Sequence, residues 1–153
     1  MSLLDQYNKA MAQLRADVND VIHNDMRDGI SIAMVDSART RVYDAYSPKM
    51  YERRMTLEDP SHYQFELFDM GIGVYSPITG NPAYAPPASS GWNPGYISQI
   101  IESGSGYPWF RKGSDMDKIG PRPYLTEGMK DYVNTRASAD LADGLRARGY
   151  IVE

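Results

Sequence analysis

YISQIIESGSGYPWFRKGSDMDKIGPRPYL, residues Tyr96–Leu125, sets the frame for the rest of the chain. Tyr96, Ile97, Ile100 and Ile101 recur at near-helical spacing. Gly104, Gly106 and Gly113 then break that pattern around a group of aromatic residues. Pro121-Arg122-Pro123 closes the stretch. Proline lacks a backbone donor and fixes φ, so neither a helix centre nor a central strand fits there. The order predicts a short docked helix, a long turn carrying aromatics, and a rigid extended segment leading into the last helical region. No part of the stretch has the residue set of an active site.

Just upstream lies SPITGNPAYAPPASSGWNP, Ser76–Pro94. It is long for a connection inside a compact domain. Gly80 and Gly91 are not followed by a lysine-bearing helix start, so no phosphate cradle is predicted. Two readings fit: an arm that orders on contact with a neighbour, and a plain surface loop. Before it, Tyr63, Phe65 and Leu67 alternate with Gln64, Glu66 and Phe68, which predicts a half-buried strand from about Ser61 to Asp69. Met70-Gly71 reads as the turn and Ile72–Tyr75 as the antiparallel partner. His62 lies near Asp59 with no nucleophile beside it in sequence.

VYDAYSPKMYERR, Val42–Arg54, interleaves Tyr43, Tyr46 and Tyr51 with Lys49, Arg53 and Arg54. Pro48 forces Ser47 out of the helical region, so the preceding helix ends near Ala45 or Tyr46. Aromatics among basic residues can bind nucleic acid. They can equally form a structural corner whose arginines pair with Glu52, Glu58 and Asp59. The run is short and the chain acidic, which favours the corner, with protein–protein contact second and nucleic acid third.

At the N-terminus, Leu4, Tyr7, Met11, Leu14, Val18 and Val21 alternate steps of three and four. This predicts an amphipathic helix from about Ser2 to about Arg27, capped by Ser2 with Asp5 in its first turn. Its stripe is expected to cover the chain's own core; the alternative is a partner helix in an oligomer. Gly29 interrupts the pattern, Asp25, Arg27 and Asp28 read as a solvated hinge, and Ile30 to Tyr43 reads as a second helix. His23 reads as a surface histidine, because no second soft metal ligand lies nearby. Downstream, helices are expected at Tyr124–Tyr132 and Ser138–Arg148, linked by Asn134–Ala137. Arg146 and Arg148 suit the end of the second helix, and Gly149 suits its stop. Tyr150–Val152 reads as a terminal strand or a tail.

A chain of 153 residues fits a single domain, 1–153. Twelve tyrosines favour extensive interfaces or, equally, a core of ordinary tyrosines. A net charge of −4 disfavours a tight grip on DNA. The absence of cysteine removes disulfides and thiolate metal sites, and fits a reducing cytoplasm. The first residues do not form a signal peptide, and no apolar run reaches membrane-spanning length. With two histidines, the pair Asp115 and Asp117 is weak support for a metal-dependent hydrolase using His62. No enzyme activity, cofactor or metal is therefore expected. A nucleic-acid-binding module would have to use Arg39, Arg41, Lys49, Arg53 and Arg54.

Three blocks carry a resemblance. V-Y-x-x-Y-x-P-x-x-Y-x-R-R at Val42–Arg54, I-I-E-x-G-x-G-Y at Ile100–Tyr107, and P-R-P-[FY]-[IL] at Pro121–Leu125 occur in order, before a terminal GLRARGY. Together they resemble the tail-completion or head–tail joining proteins of long-tailed bacteriophages. The resemblance implies an α+β fold, with N-terminal and C-terminal helices packed on a short antiparallel β-sheet. It implies a structural virion protein at the neck or tail end, assembled in the host cytoplasm, forming a ring, commonly a hexamer. Partners would be further copies, the head-connector, adaptor or stopper proteins and the tail-tube protein. DNA would pass through without tight binding, and no membrane would be involved. Interface candidates under this reading are Tyr43, Tyr46, Tyr51, Arg53, Arg54, Tyr84, Trp92, Tyr107 and Trp109. Glu102 would cap or pair with Arg122, and Pro121 and Pro123 would fix the approach to the next helix.

Overall fold

Ser2 starts the first helix as its sequence predicts. Its hydroxyl accepts from Asp5 N at 3.1 Å, and the Asp5 carboxylate accepts from Ser2 N at 2.9 Å. This reciprocal capping box satisfies two helix-end donors. The structure, a computed structural model, describes residues 1–45, 56–77, 101–103 and 120–153. Helix α1 spans Leu3–Asp20, and α2 spans Arg27–Ala38. Between them Val21–Asp25 forms one wider turn, with Met26 N donating to Val21 O at 3.1 Å. A second such turn, Arg39–Tyr43, ends the helical run, with Asp44 N donating to Arg39 O at 2.9 Å. These i→i+5 turns bend the rod without breaking its hydrogen bonding.

The hairpin consists of β1, Gln64–Phe68, and β2, Gly71–Tyr75, paired antiparallel with Phe68 opposite Gly71. The turn is therefore Asp69-Met70, one residue earlier than the sequence suggests. Met70 adopts φ 57, in the left-handed region that a tight turn requires. Helices α3, Tyr124–Thr135, and α4, Ala137–Ala147, follow, separated by Arg136 alone. Gly149 ends α4 at φ 90, and Tyr150 N reaches back to Leu145 O at 3.1 Å. Residues 150–153 form no strand; the Tyr150 hydroxyl instead donates to Asp17 Oδ2 at 2.6 Å. The fold is α+β: helices from both ends of the chain with an antiparallel hairpin between them.

The core is built where α2 crosses α3. Ile30, Met34, Val35, Ala38 and Val42 meet Tyr124 and Tyr132, with Leu57, Tyr63 and Ile101 at one end. Close crossing depends on Gly128, where a Cβ would sit 2.8 Å from Met34 Cε and 2.9 Å from Ser37 Cβ. Gly29, expected to interrupt the helix pattern, is a second close approach: it is buried under the Tyr132 ring and Asp140. A glycine inside a helical pattern is often a packing device, and the helix runs through it.

Candidate assembly surface

The three sequence blocks converge at one end of the core. Arg122 Nη1 donates to Val42 O at 3.3 Å, and Arg122 N donates to Ile101 O at 2.9 Å. Glu102 accepts from Leu125 N at 2.9 Å and from Thr126 N at 2.8 Å. These are free donors of the first turn of α3, which has no side-chain cap of its own at Pro123. A carboxylate there also complements the positive end of the helix dipole. Capping, one of the two roles open to Glu102, is observed.

Beside this junction, the Tyr43 hydroxyl accepts from Leu57 N at 3.0 Å, and the Tyr63 hydroxyl donates to Leu57 O at 2.7 Å. Burial pushes the Tyr63 phenol far above its ordinary range. Tyr43, the first interface candidate, thus helps to hold the corner. Tyr46, Tyr51, Arg53, Arg54, Tyr84, Trp92, Tyr107 and Trp109 lie outside the described residues, as do Asp115 and Asp117. The same applies to Lys49 and to most of the 76–94 loop, of which Ser76 and Pro77 are described.

Arg39 pairs with Glu58 at 3.4 Å and Asp36 at 3.5 Å, and Arg41 pairs with Asp131 at 3.0 Å. Both guanidinium groups are engaged by carboxylates of the fold. His62 lies 3.7 Å from Asp59, its neighbour across one short turn. Among the described residues no cluster of His, Asp and Glu has metal-binding geometry.

His23 departs from its expected exposed role. Its Nε2 lies 2.8 Å from Phe68 O and 3.0 Å from Gly71 O, so the imidazole donates toward the carbonyls that flank the hairpin turn. Asn19 completes the clamp, accepting from Met70 N at 2.6 Å and donating to Asp69 at 3.1 Å. Arg15 pairs with Asp69, and the Arg27 guanidinium lies 5.5 Å from the Phe65 ring centre. Arg15 and Asn19 hold the Asp69 carboxyl below the usual carboxylate range. The hairpin is pinned to the second half of α1 and the wide turn after it.

The first half of α1 is different. Every residue from Met1 to Gln13 is exposed. Leu3 is 83% exposed, Leu4 66%, Tyr7 61% and Met11 46%. The expectation that the whole stripe covers the chain's own core is corrected here. Val21 is buried against Gly144 of α4, and Leu14 and Val18 are half-buried, but the turns before them stand clear of the body. Periodicity identifies an apolar face but not what covers it. Where the free part begins, Met11, Leu14, Arg15, Val18 and Met70 line an apolar groove of about 340 Å³.

These features define a small α+β protein with a helical core, a clamped hairpin and an amphipathic helix projecting an uncovered apolar stripe. The chain belongs to the YomN family, whose model matches residues 6–147. That family is Bacillus phage-derived. No curated protein and no solved structure matches the chain. No helix among the described residues is long and apolar enough to cross a membrane.

Proposed function

We propose that this chain is a structural virion protein of a tailed phage. It acts at the head–tail junction as a tail-completion or joining component that assembles with further copies into a ring. The ring attaches the tail to the head connector and leaves a channel for DNA. Its partners are the connector, adaptor or stopper proteins and the tail-tube protein, and it is assembled in the host cytoplasm before residing in the virion neck.

One observation carries the reading: the apolar stripe from Leu3 to Met11 stands clear of the core on a well-capped helix. A helix of this length is marginal alone in water, and a contiguous exposed apolar patch marks an interaction surface. Membership of a phage-derived family supports reading that surface as one used in particle assembly. The described residues Val42, Ile101, Glu102 and Arg122 of the three blocks meet at one junction of the fold. Engagement of Arg39 and Arg41 by carboxylates favours assembly over nucleic-acid binding.

The test is genetic and visual. Removing the gene from its phage is expected to leave filled heads and finished tails that do not join, as seen by electron microscopy. Normal particles without the protein would overturn the proposal.

A further inference from the structure

No residue of α1 is buried, and none belongs to the core cluster or to the half-buried apolar residues packed on it. Its apolar docking is limited to Leu14 and Val18, half-buried in the groove that Met70 also lines. Among the described residues the other contacts that direct this helix are polar. They come from four side chains near its end: Arg15, Asp17, Asn19 and Asp20. We propose that α1 is a lever on a lockable hinge. The wide turn Val21–Asp25 is the pivot. Two polar jaws, the hairpin turn and the residues after α4, fix the angle between α1 and α2.

The jaws grip opposite sides of the helix. At about 3.6 residues per turn, Arg15 and Asn19 share one side, and Asp17 and Asp20 lie nearly opposite. On the first side Arg15 pairs with Asp69. Asn19 donates to Asp69 at 3.1 Å and accepts from Met70 N at 2.6 Å. On the second side Asp17 accepts from the Tyr150 hydroxyl at 2.6 Å, and Asp20 pairs with Arg148.

Each jaw also holds the pivot. His23, in the wide turn, places Nε2 2.8 Å from Phe68 O and 3.0 Å from Gly71 O, on either side of the same hairpin turn. Asp25, also in the wide turn, pairs with Arg148 at 2.5 Å, and Arg148 donates to Gly144 O at 2.8 Å. Each jaw thus bridges the lever and its pivot, so the angle cannot change while both are closed. A helix bent at an i→i+5 turn keeps its backbone ladder, so a change of angle breaks jaw contacts and leaves that ladder in place.

Beyond the pivot the attachment changes character. Val21 is fully buried against Gly144, and Met26 and Ile30 enter the core. The α2–α3 core therefore stays in place when α1 swings. The direction in which Leu3, Leu4, Tyr7 and Met11 are presented is set mainly by charge and hydrogen bonding, and the chain can redirect them without unfolding. Exposed ion pairs are weak singly and are screened by salt. The Arg15 and Asp69 side chains are 63% and 57% exposed, against 21% for Arg148, so the hairpin jaw is the salt-sensitive one. This device is a property of the chain and does not depend on the neck assignment.

The chain contains no cysteine, so spin labels can be placed in chosen pairs on the full-length protein. Labels at Ala12→Cys on α1 and Asn134→Cys on α3 read the lever, and labels at Asp28→Cys and Asn134→Cys read the α2–α3 core; all three positions are exposed. Double electron–electron resonance is expected to give one narrow lever distance in the otherwise unaltered chain. Opening both jaws with Asp69→Ala and Arg148→Ala is expected to broaden it while the core distance stays narrow. With one jaw left, raising salt to about 1 M is expected to broaden the lever distance in Arg148→Ala, and much less in Asp69→Ala. The opposite salt order would overturn the hairpin jaw as the salt-sensitive one. A narrow lever distance in the double variant would mean that other contacts fix α1. A broad one in the unaltered chain would mean that the jaws do not lock it, and a core distance that broadens with the lever would mean that they hold the whole fold. Any of these three would overturn the proposal.

Discussion

Glu102 caps a helix that starts more than twenty positions later: its carboxylate accepts from Leu125 N at 2.9 Å. A second oxygen takes Thr126 N at 2.8 Å. The bond joins two of the sequence blocks, and Arg122 joins the third through Val42 O. The described residues of the three blocks therefore meet at one corner of the fold.

Removing that cap is expected to weaken the whole domain. Glu102→Ala leaves two first-turn donors of α3 without their acceptor, at a cost of about 1–2 kcal/mol. Glu102→Gln, which keeps one acceptor oxygen and loses the charge, is expected to fall between the two. Urea unfolding followed by circular dichroism measures both. An unchanged midpoint in Glu102→Ala would contradict the capping role.

The crossing of α2 and α3 predicts a second loss. Gly128→Ala places a methyl group where Met34 and Ser37 already sit, and overpacking of this kind costs about 1–3 kcal/mol. Gly149→Ala meets no atom within 4 Å, yet its φ of 90 is strained for any side chain. That substitution is expected to cost about 1–2 kcal/mol through the backbone alone. Thermal melts of the two variants separate steric crowding from backbone strain, because a compensating Met34→Ala can relieve only the first.

Acid is expected to loosen the seam between α1 and α4. Arg148 pairs with Asp20 and, at 2.5 Å, with Asp25, while Asp17 accepts from the Tyr150 hydroxyl at 2.6 Å. Arg148 and then Asn24 hold the Asp20 carboxyl low, and Tyr150 and then Gln13 do the same for Asp17. A carboxyl depressed in the folded state stabilises above its unfolded value. Its contribution is full above about pH 4 and fades as pH falls through the lower folded value. Arg148→Ala is expected to flatten the dependence of the urea midpoint on pH between about 2 and 5. An unchanged slope would mean that the acid response arises elsewhere.

Much of this was legible in the chain. Ser2 with Asp5 marks a helix start because a capping box is a local pattern, and alternation from Tyr63 to Tyr75 marks a hairpin for the same reason. What escaped depends on distant partners. Glu102 and its α3 donors, His23 and the Phe68 carbonyl, and Gly29 under Tyr132 are contacts across the fold that no local spacing encodes. The stripe of α1 shows the limit most clearly. Its period is visible from Leu4 to Val21, but only the structure divides it into a buried end and a free one.

Weak affinity for free DNA is also expected. Arg39 and Arg41 are held by Glu58, Asp36 and Asp131, and the net charge is −4. Fluorescence anisotropy with a labelled duplex, titrated at low and at physiological salt, should show little binding and a shallow salt slope. Tight binding with a steep slope would favour the nucleic-acid reading instead.

The most direct test of the neck proposal is cryo-electron microscopy of purified particles of the phage that encodes the chain, with an electron-dense label on its C-terminus. The proposal predicts label at the head–tail junction and ring density there that accommodates α1, the hairpin and the α2–α3 core. Particles lacking the chain, or label confined to the capsid shell or tail fibres, would contradict it.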